Sequence, residues 1–195
     1  TEATKFFASM LYLAGRGRPD VQFSIGAIST RYDSVLEFNE CKDENLLRNA
    51  PELLWNKGDG GGIDTVALIE ALSNKYNSLG ATDVPKFEFV FTDGGETSDA
   101  SDDELQRLVD EFEATHGVSL IFVGITPEAS AVERYRHYVY IDHAPDDAEL
   151  IRVIMSVANT IVKGNTLPAG DLVKELSIEV TSSGGTNQRG VATNV

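Results

Sequence analysis

The chain has few cysteines, few basic residues and no long apolar run, and each shortage argues against a class of protein. Its 195 residues include one cysteine, Cys41, so no disulfide forms within the chain. It holds 16 Lys and Arg against 31 Asp and Glu, and the formal charge of −15 disfavours phosphate backbones and anionic membranes. No apolar segment is long enough to cross a bilayer, and no signal peptide is recognisable. We therefore expect no nucleic acid partner, no membrane partner and a cytoplasmic location.

The composition that remains is typical of a globular domain. Apolar residues make up 42% and charged residues 24% of the chain, and the length suits one domain with a full hydrophobic core. The hydrophobic periodicity weakens after residue 164, and the end of the chain is rich in Gly, Ser and Thr. We expect one domain over residues 1–164 and a C-terminal strand or tail over 165–195.

Strand-like and helix-like segments alternate along the chain. Apolar alternation and short apolar runs predict strands at 21–28, 34–38, 87–92, 118–125 and 137–141, with a further strand at 174–180. Apolar residues at helical spacing predict helices at 4–14, around Leu68 to Tyr76, after Ser101 and from Pro145. This order predicts an α/β sandwich with a mostly parallel sheet and helices on both faces.

Oxygen-bearing side chains follow two of these turns. Asp93 comes directly after a buried strand and before Gly94 and Gly95, while Asp64 and Thr65 follow a glycine run and open a helix. Ligands of parallel sheets bind at the carboxyl ends of the strands, so we expect these groups at one edge. Carboxylate and hydroxyl oxygens suit Mg²⁺, Mn²⁺ or Ca²⁺. Asp64 is equally well explained as the N-cap of its helix.

At these residues the sequence resembles the von Willebrand factor A (vWA) domain family. Thr92-Asp93-Gly94 resembles the family's strand-end Thr-Asp-Gly, residues 60–68 resemble its glycine turn and helix, and the order of elements agrees from 4 to about 164. The resemblance implies a Rossmann-like three-layer fold and a metal-ion-dependent adhesion site (MIDAS), in which an acidic residue of a protein partner completes the metal's coordination. It implies binding rather than catalysis. We expect the partner to touch the two turns, at Gly61, Gly62, Gly94, Gly95 and Glu96.

Two features depart from the family pattern, so we expect a partial or degenerate metal-ion-dependent adhesion site. The family's first strand carries Asp-x-Ser-x-Ser, which this chain lacks at its start, and Ile63 stands at the family's Thr position. Three explanations for the first strand stay open: it belongs to a longer or separate polypeptide, the segment 174–180 takes its place, or another molecule supplies it. The second explanation makes Glu179, Thr181 and Ser183 additional candidate metal ligands, because their spacing matches the missing motif.

The sequence also bears on several other functions. The Ile63-Asp64 pair is similar to vWA domains of metal chelatases, so the alternative is a subunit of an ATP-driven chelatase or of a complex with an AAA+ ATPase. The segment 93–113 holds nine acidic residues against one basic residue, which favours a basic partner. The three histidines are dispersed, which argues against zinc, and no Gly-Lys-Ser/Thr follows the glycines, which argues against a phosphate loop.

Overall fold

The computed structural model describes residues 24–28, 31–38, 40, 43, 45–46, 49–50, 52–53, 62–80, 86–143, 146–163 and 165–178. The predicted helix at 4–14 and the start of the strand at 21–28 lie outside these residues. No helix in the described part is long and apolar enough to cross a membrane.

The described chain begins with an antiparallel hairpin. Strand β1 (Ile25–Ile28) pairs with β2 (Tyr32–Leu36), in a register that sets Ile28 opposite Tyr32. Helix α1 (Thr65–Leu79) lies behind the hairpin, and the ammonium of Lys75 joins the two by bonding Ser24 Oγ at 2.6 Å. The predicted hairpin is confirmed, with its second strand starting two residues earlier than expected.

Four parallel strands form the main sheet, in the order β3 (Lys86–Thr92), β4 (Val118–Gly124), β5 (His137–Tyr140) and β6 (Gly170–Asp171). The first three confirm the predicted strands to within one residue at either end. Between them run α2 (Asp102–His116), a 3₁₀ helix (Pro127–Arg134) and α3 (Asp147–Val162). The sequence did not predict the 3₁₀ helix.

Helices cover both faces of this sheet. One face carries the residues of β3 and β4 that pack against α1 and α2, including Val90, Leu120 and Phe122. The opposite face carries Ile121 and Val123, which pack against α3. Strand β4 is buried on both faces, as its nearly unbroken apolar run predicts for a central parallel strand.

Ser101 and Gly117 set the ends of α2. The Ser101 hydroxyl accepts from the backbone N–H of Glu104 at 3.3 Å, as the capping pattern predicts. Gly117 ends the helix in the left-handed region, at φ 61°, where a side chain would be strained.

The strand predicted at 174–180 is wrong where the structure describes it. Residues Leu172–Glu175 form a short helix, α4, because Asp171 accepts from the backbone N–H of Val173 and so caps a helical turn. The C-terminal segment contributes β6 instead, which pairs with β5. Residues 174–178 therefore do not take the place of the family's first strand, and 179–180 lie outside the described residues.

Candidate functional site

Two turns meet at the carboxyl end of β3. The backbone N–H of Ile63 donates to the carbonyl of Gly95 at 3.0 Å, and the N–H of Thr97 donates to the carbonyl of Ile63 at 2.8 Å. We call residues 62–65 and 93–97 the rim. Gly62 allows this approach, since a Cβ there would lie 1.8 Å from the carbonyl oxygen of Gly95. The expectation that the two turns share one edge of the sheet is confirmed.

The side chain of Glu96 joins the two turns of the rim through hydrogen bonds. One carboxylate oxygen, Oε1, accepts from the backbone N–H of Thr65 at 3.0 Å and of Ser98 at 3.1 Å. The other, Oε2, lies 2.5 Å from the Thr65 hydroxyl and 3.0 Å from the Tyr135 hydroxyl. Burial by itself raises the pKa of Glu96, but the hydrogen bonds from Thr65 and Ser98 outweigh burial and hold the pKa below its usual value.

Glu96, Thr65 and Tyr135 form a triangle of oxygens. The hydroxyls of Thr65 and Tyr135 are 2.8 Å apart, and each also contacts the carboxylate. With Glu96 ionised, the triangle holds two hydroxyl protons for three close oxygen pairs, so at most two pairs are hydrogen-bonded at one time. The buried Thr65 side chain is therefore committed to this triangle.

Tyr135 connects the triangle to the hydrophobic core. Its ring stacks on Phe122 of β4, with 3.7 Å between the ring centroids and 13° between the planes. Burial raises the pKa of Tyr135, and the Glu96 carboxylate raises it further, so the phenol stays protonated and able to donate. Reasoning from sequence missed Tyr135, because 39 residues separate it from Glu96 and nothing local marks its hydroxyl.

The two candidate metal-binding aspartates occupy different environments. Asp64 caps α1, because its carboxylate accepts from the backbone N–H of Ala67 at 3.0 Å. Asp93 has an exposed side chain, while its backbone carbonyl accepts from the hydroxyl of Thr126 at 2.8 Å. Asp93 is thus anchored through its backbone and presents its carboxylate outward.

The described residues do not fit a divalent cation by themselves. No group of three or more His, Cys, Asp or Glu side chains in the described part could hold a metal ion. Of the three candidate ligands, Asp64 caps a helix and Thr65 bonds Glu96, which leaves the carboxylate of Asp93. The hydroxyl of Ser98 is buried without a hydrogen-bond partner among the described residues, and this adds one oxygen. Ca²⁺ takes about six to eight oxygen ligands, and Mg²⁺ keeps several waters beside one or two carboxylates, so these two groups would need water or further ligands to complete a site.

The remaining predicted site residues divide into two groups. Gly62, Gly94 and Gly95 lie in the rim and are half-buried, so the expectation that they touch a partner stays a prediction. Glu96 lies there too, but both its oxygens face protein donors. The others lie outside the described residues: Gly61, Glu179, Thr181 and Ser183.

A histidine hydrogen-bonded to two carboxylates follows β5, at the same edge of the sheet. His143 Nε2 lies 3.1 Å from Oε1 of Glu149, whose side chain is 2% exposed, and Nδ1 lies 3.2 Å from Oδ1 of Asp142. These hydrogen bonds, to Asp142 and then to Glu149, raise the pKa of His143 above its ordinary value. When it is protonated, the imidazolium balances the charge of a nearly buried carboxylate.

Comparison with known proteins finds a likeness in structure. No family model and no curated protein sequence matches the chain. Among solved structures, the chain is similar to proximal thread matrix protein 1 (PTMP1) from the mussel byssus, solved with a zinc-occupied MIDAS motif. The match has a TM-score of 0.58 at 15% identity, and it covers 80% of this chain.

The match reaches 42% of the PTMP1 chain, so this chain spans less than half of that protein. Nothing in it supports a relation to chelatase subunits. At this identity the likeness shows the fold alone, and it agrees with the parallel sheet and its two helical layers. The chain therefore has a vWA-like fold.

Proposed function

We propose that this chain is a protein-interaction module that binds its partner at the rim, and not an enzyme. The observation that carries the proposal is the construction of the rim itself. Two backbone hydrogen bonds and the carboxylate of Glu96 hold the turns together, while Asp93 points outward from this frame. A surface fixed in advance loses little conformational entropy when a partner binds, which favours affinity.

The negative charge near the rim favours a partner with basic residues at the contact. The side chains of Asp93, Asp99 and Asp103 are exposed, while Asp102 is paired with Arg134 at 2.6 Å. The whole chain carries a formal charge of −15. A partner with Lys or Arg at the contact would therefore associate faster, and salt would weaken the attraction by screening.

PTMP1 was solved with zinc in its MIDAS motif, and this makes a metal-assisted form of the same function a second candidate. Asp93 is the candidate ligand whose carboxylate is exposed, and a cation bound there would attract an acidic side chain of the partner. Its remaining ligands would have to come from outside the described residues or from the partner. No step of the first proposal depends on such a cation.

Affinity capture with matched charge reversals tests the proposal. The bait is the full chain as wild type, Asp93→Lys or Glu175→Lys, and captured proteins are quantified by mass spectrometry. Glu175 is exposed on α4, outside the two segments of the rim, and its reversal changes the total charge equally. We expect a partner that wild type and Glu175→Lys retain and that Asp93→Lys loses by about tenfold or more. Equal recovery by the two variants would exclude the rim as the binding surface.

A chelator distinguishes the two forms of the function. We expect capture to persist in EDTA and to weaken as salt is raised. Capture that EDTA abolishes and that Mg²⁺ or Zn²⁺ restores would assign the metal-assisted form instead.

A further inference from the structure

Strand β3 is paired along one of its two edges. It stands at the end of the four-stranded sheet and pairs with β4 over its whole length. The carbonyl of Thr92 accepts from the backbone N–H of Ile125 just beyond β4, so the main-chain groups of Thr92 face that neighbour. Main-chain groups of successive strand residues point to opposite edges, so those of Phe87 and Phe89 face away from β4. No strand of the described residues pairs with that edge.

The open edge of β3 lacks two of the usual devices that protect a strand edge. Proteins bend such strands with a bulge or place proline in them, whereas β3 runs for seven residues in even register and holds no proline. Its phenylalanine side chains are also incompletely covered. Phe89 is partly exposed, while Ile121, its partner in register on β4, is fully buried in the cluster that packs on α3. Phe89 can therefore accept a further apolar neighbour on the side away from β4.

The hairpin of β1 and β2 lies beyond this open edge, as two consecutive residues of α1 show. Lys75 bonds Ser24 Oγ at the start of the hairpin and lies 3.4 Å from the hydroxyl of Tyr32. The next residue, Tyr76, donates its hydroxyl to Glu88 of β3 at 3.0 Å. Because β4 and α2 lie on the other side of β3, the hairpin is on the open side. In the described part, however, the hairpin forms a sheet of its own, and no ladder joins it to β3.

We propose that the edge of β3 that faces the hairpin binds an extended segment of a partner polypeptide, which joins the sheet as a further strand. The main-chain groups of Phe87 and Phe89 supply hydrogen bonds, as in other cases of strand addition. One face of the segment meets the phenylalanine rings and is apolar. The other face meets the polar groups of Lys75, Tyr32 and Glu88, so the residues between the apolar ones are short and polar. This inference does not depend on the function proposed for the rim.

Amide hydrogen exchange of the ¹⁵N-labelled full chain tests the site with a designed peptide. The probe is acetylated and amidated, carries no net charge and has the sequence Lys-Thr-Val-Thr-Val-Thr-Val-Thr-Glu. We expect it to bind with a Kd below about 1 mM and, at ten times that Kd, to slow exchange at the amides of Phe87 and Phe89 about tenfold. The amides of Glu88 and Val90 already face β4 and should change less. No saturable binding, or slowing that spares Phe87 and Phe89, would overturn the proposal.

Peptides with blocked main-chain groups separate strand addition from general apolar contact. One control peptide is N-methylated at its valines and the other at its threonines, so each loses the N–H donors of one edge and keeps its side chains. A strand added to β3 uses the donors of the edge that faces β3. We therefore expect at least one control to bind about tenfold more weakly than the probe. Equal binding of all three peptides would overturn the proposal.

Variants of the chain separate this site from the rim. Phe89→Pro removes an N–H from the open edge and leaves the ladder to β4, so we expect the probe to bind about tenfold more weakly, with the amide spectrum as the check of folding. Asp93→Lys alters the rim and should bind the probe as wild type does. A loss with Asp93→Lys and none with Phe89→Pro would overturn the site. If Phe89→Pro does not fold, the N-methylated peptides decide the question.

Two other occupants of this edge have outcomes of their own. Exchange at Phe87 and Phe89 in the free chain that is as slow as at Glu88 and Val90 would show that the chain covers the edge itself. Sedimentation that finds a dimer, with exchange at the same two amides slowing as the dimer forms, would assign the edge to a second copy of the chain. Either result would overturn the assignment to a partner.

Discussion

The triangle of Glu96, Thr65 and Tyr135 allows a quantitative test of how the rim is held. Thr65→Val removes a hydroxyl from a fully buried side chain while keeping its shape and the backbone N–H that bonds Glu96. Tyr135→Phe removes the second hydroxyl and keeps the stack on Phe122. A hydrogen bond to a charged group contributes about 1.5–3 kcal/mol, so each variant should lower the free energy of unfolding by about that amount.

The double variant carries the sharper prediction. Each single variant leaves one hydroxyl, which still donates to the carboxylate, and the double variant leaves none. The double variant should therefore lose about the sum of the two single losses, or about 3–6 kcal/mol. Urea denaturation followed by far-ultraviolet circular dichroism measures all four proteins under one condition.

Thr97→Val provides the matched control. Thr97 is an exposed threonine of the same rim, and its hydrogen bond to the Ile63 carbonyl uses the backbone N–H, which valine retains. The control should change stability by less than about 0.5 kcal/mol. If Thr65→Val behaves like this control, or if the double variant loses no more than the larger single variant, then the two hydroxyls do not each donate to the carboxylate as the distances indicate.

Three further predictions concern the rim and its surroundings. Gly62→Ala should lower the free energy of unfolding in urea by about 1–3 kcal/mol or more, because the new Cβ would overlap the Gly95 carbonyl. Gly95→Ala is the control and should be close to neutral, because the nearest atom to its Cβ would be 3.9 Å away. Equal losses in the two variants would contradict the close approach of the turns. The stabilisation from His143 should be present below its unfolded pKa of 6.5 and lost as pH rises through the higher folded value. His143→Gln should therefore differ from wild type in thermal unfolding at pH 6 and match it at pH 9, and a pH-independent difference would refute the charge pairing. Phe122→Ala should lower the free energy of unfolding by about 3–5 kcal/mol in the same urea assay, because the ring is fully buried. A loss near 1 kcal/mol would mean that neighbouring side chains move to fill the cavity.

The periodicity of apolar residues predicted most of the fold. The nearly unbroken apolar run of β4 is buried, as the sequence predicted. On α2, the apolar side chains at helical spacing are buried as well: Leu105, Val109 and Phe112. The prediction of a strand at 174–180 was wrong over its described part, because apolar spacing alone does not separate a short strand from a capped helical turn. The Asp171 cap resolved that ambiguity in favour of the helix.

At the candidate site, the sequence predicted where the residues lie better than it predicted what their side chains bind. The strand-end location of Asp93 and the glycine turn before α1 placed both turns at one edge of the sheet. Asp64 then proved to cap its helix, and the orientation of Glu96 could not be read from neighbouring residues. The direction of a side chain depends on partners brought close by folding, such as Tyr135.

The sequence by itself determined the acidic charge and, because hydrophobic spacing and glycine act locally, the order of elements. It predicted one common edge for the two turns because ligand-binding groups of parallel sheets gather at the carboxyl ends of the strands. Only the tertiary structure decided which oxygens face inward. Glu96 turned toward Thr65 and Tyr135 because a half-buried carboxylate needs donors, and those donors come from two other segments of the chain. The tertiary structure also left Asp93 outside, where it remains available to a partner.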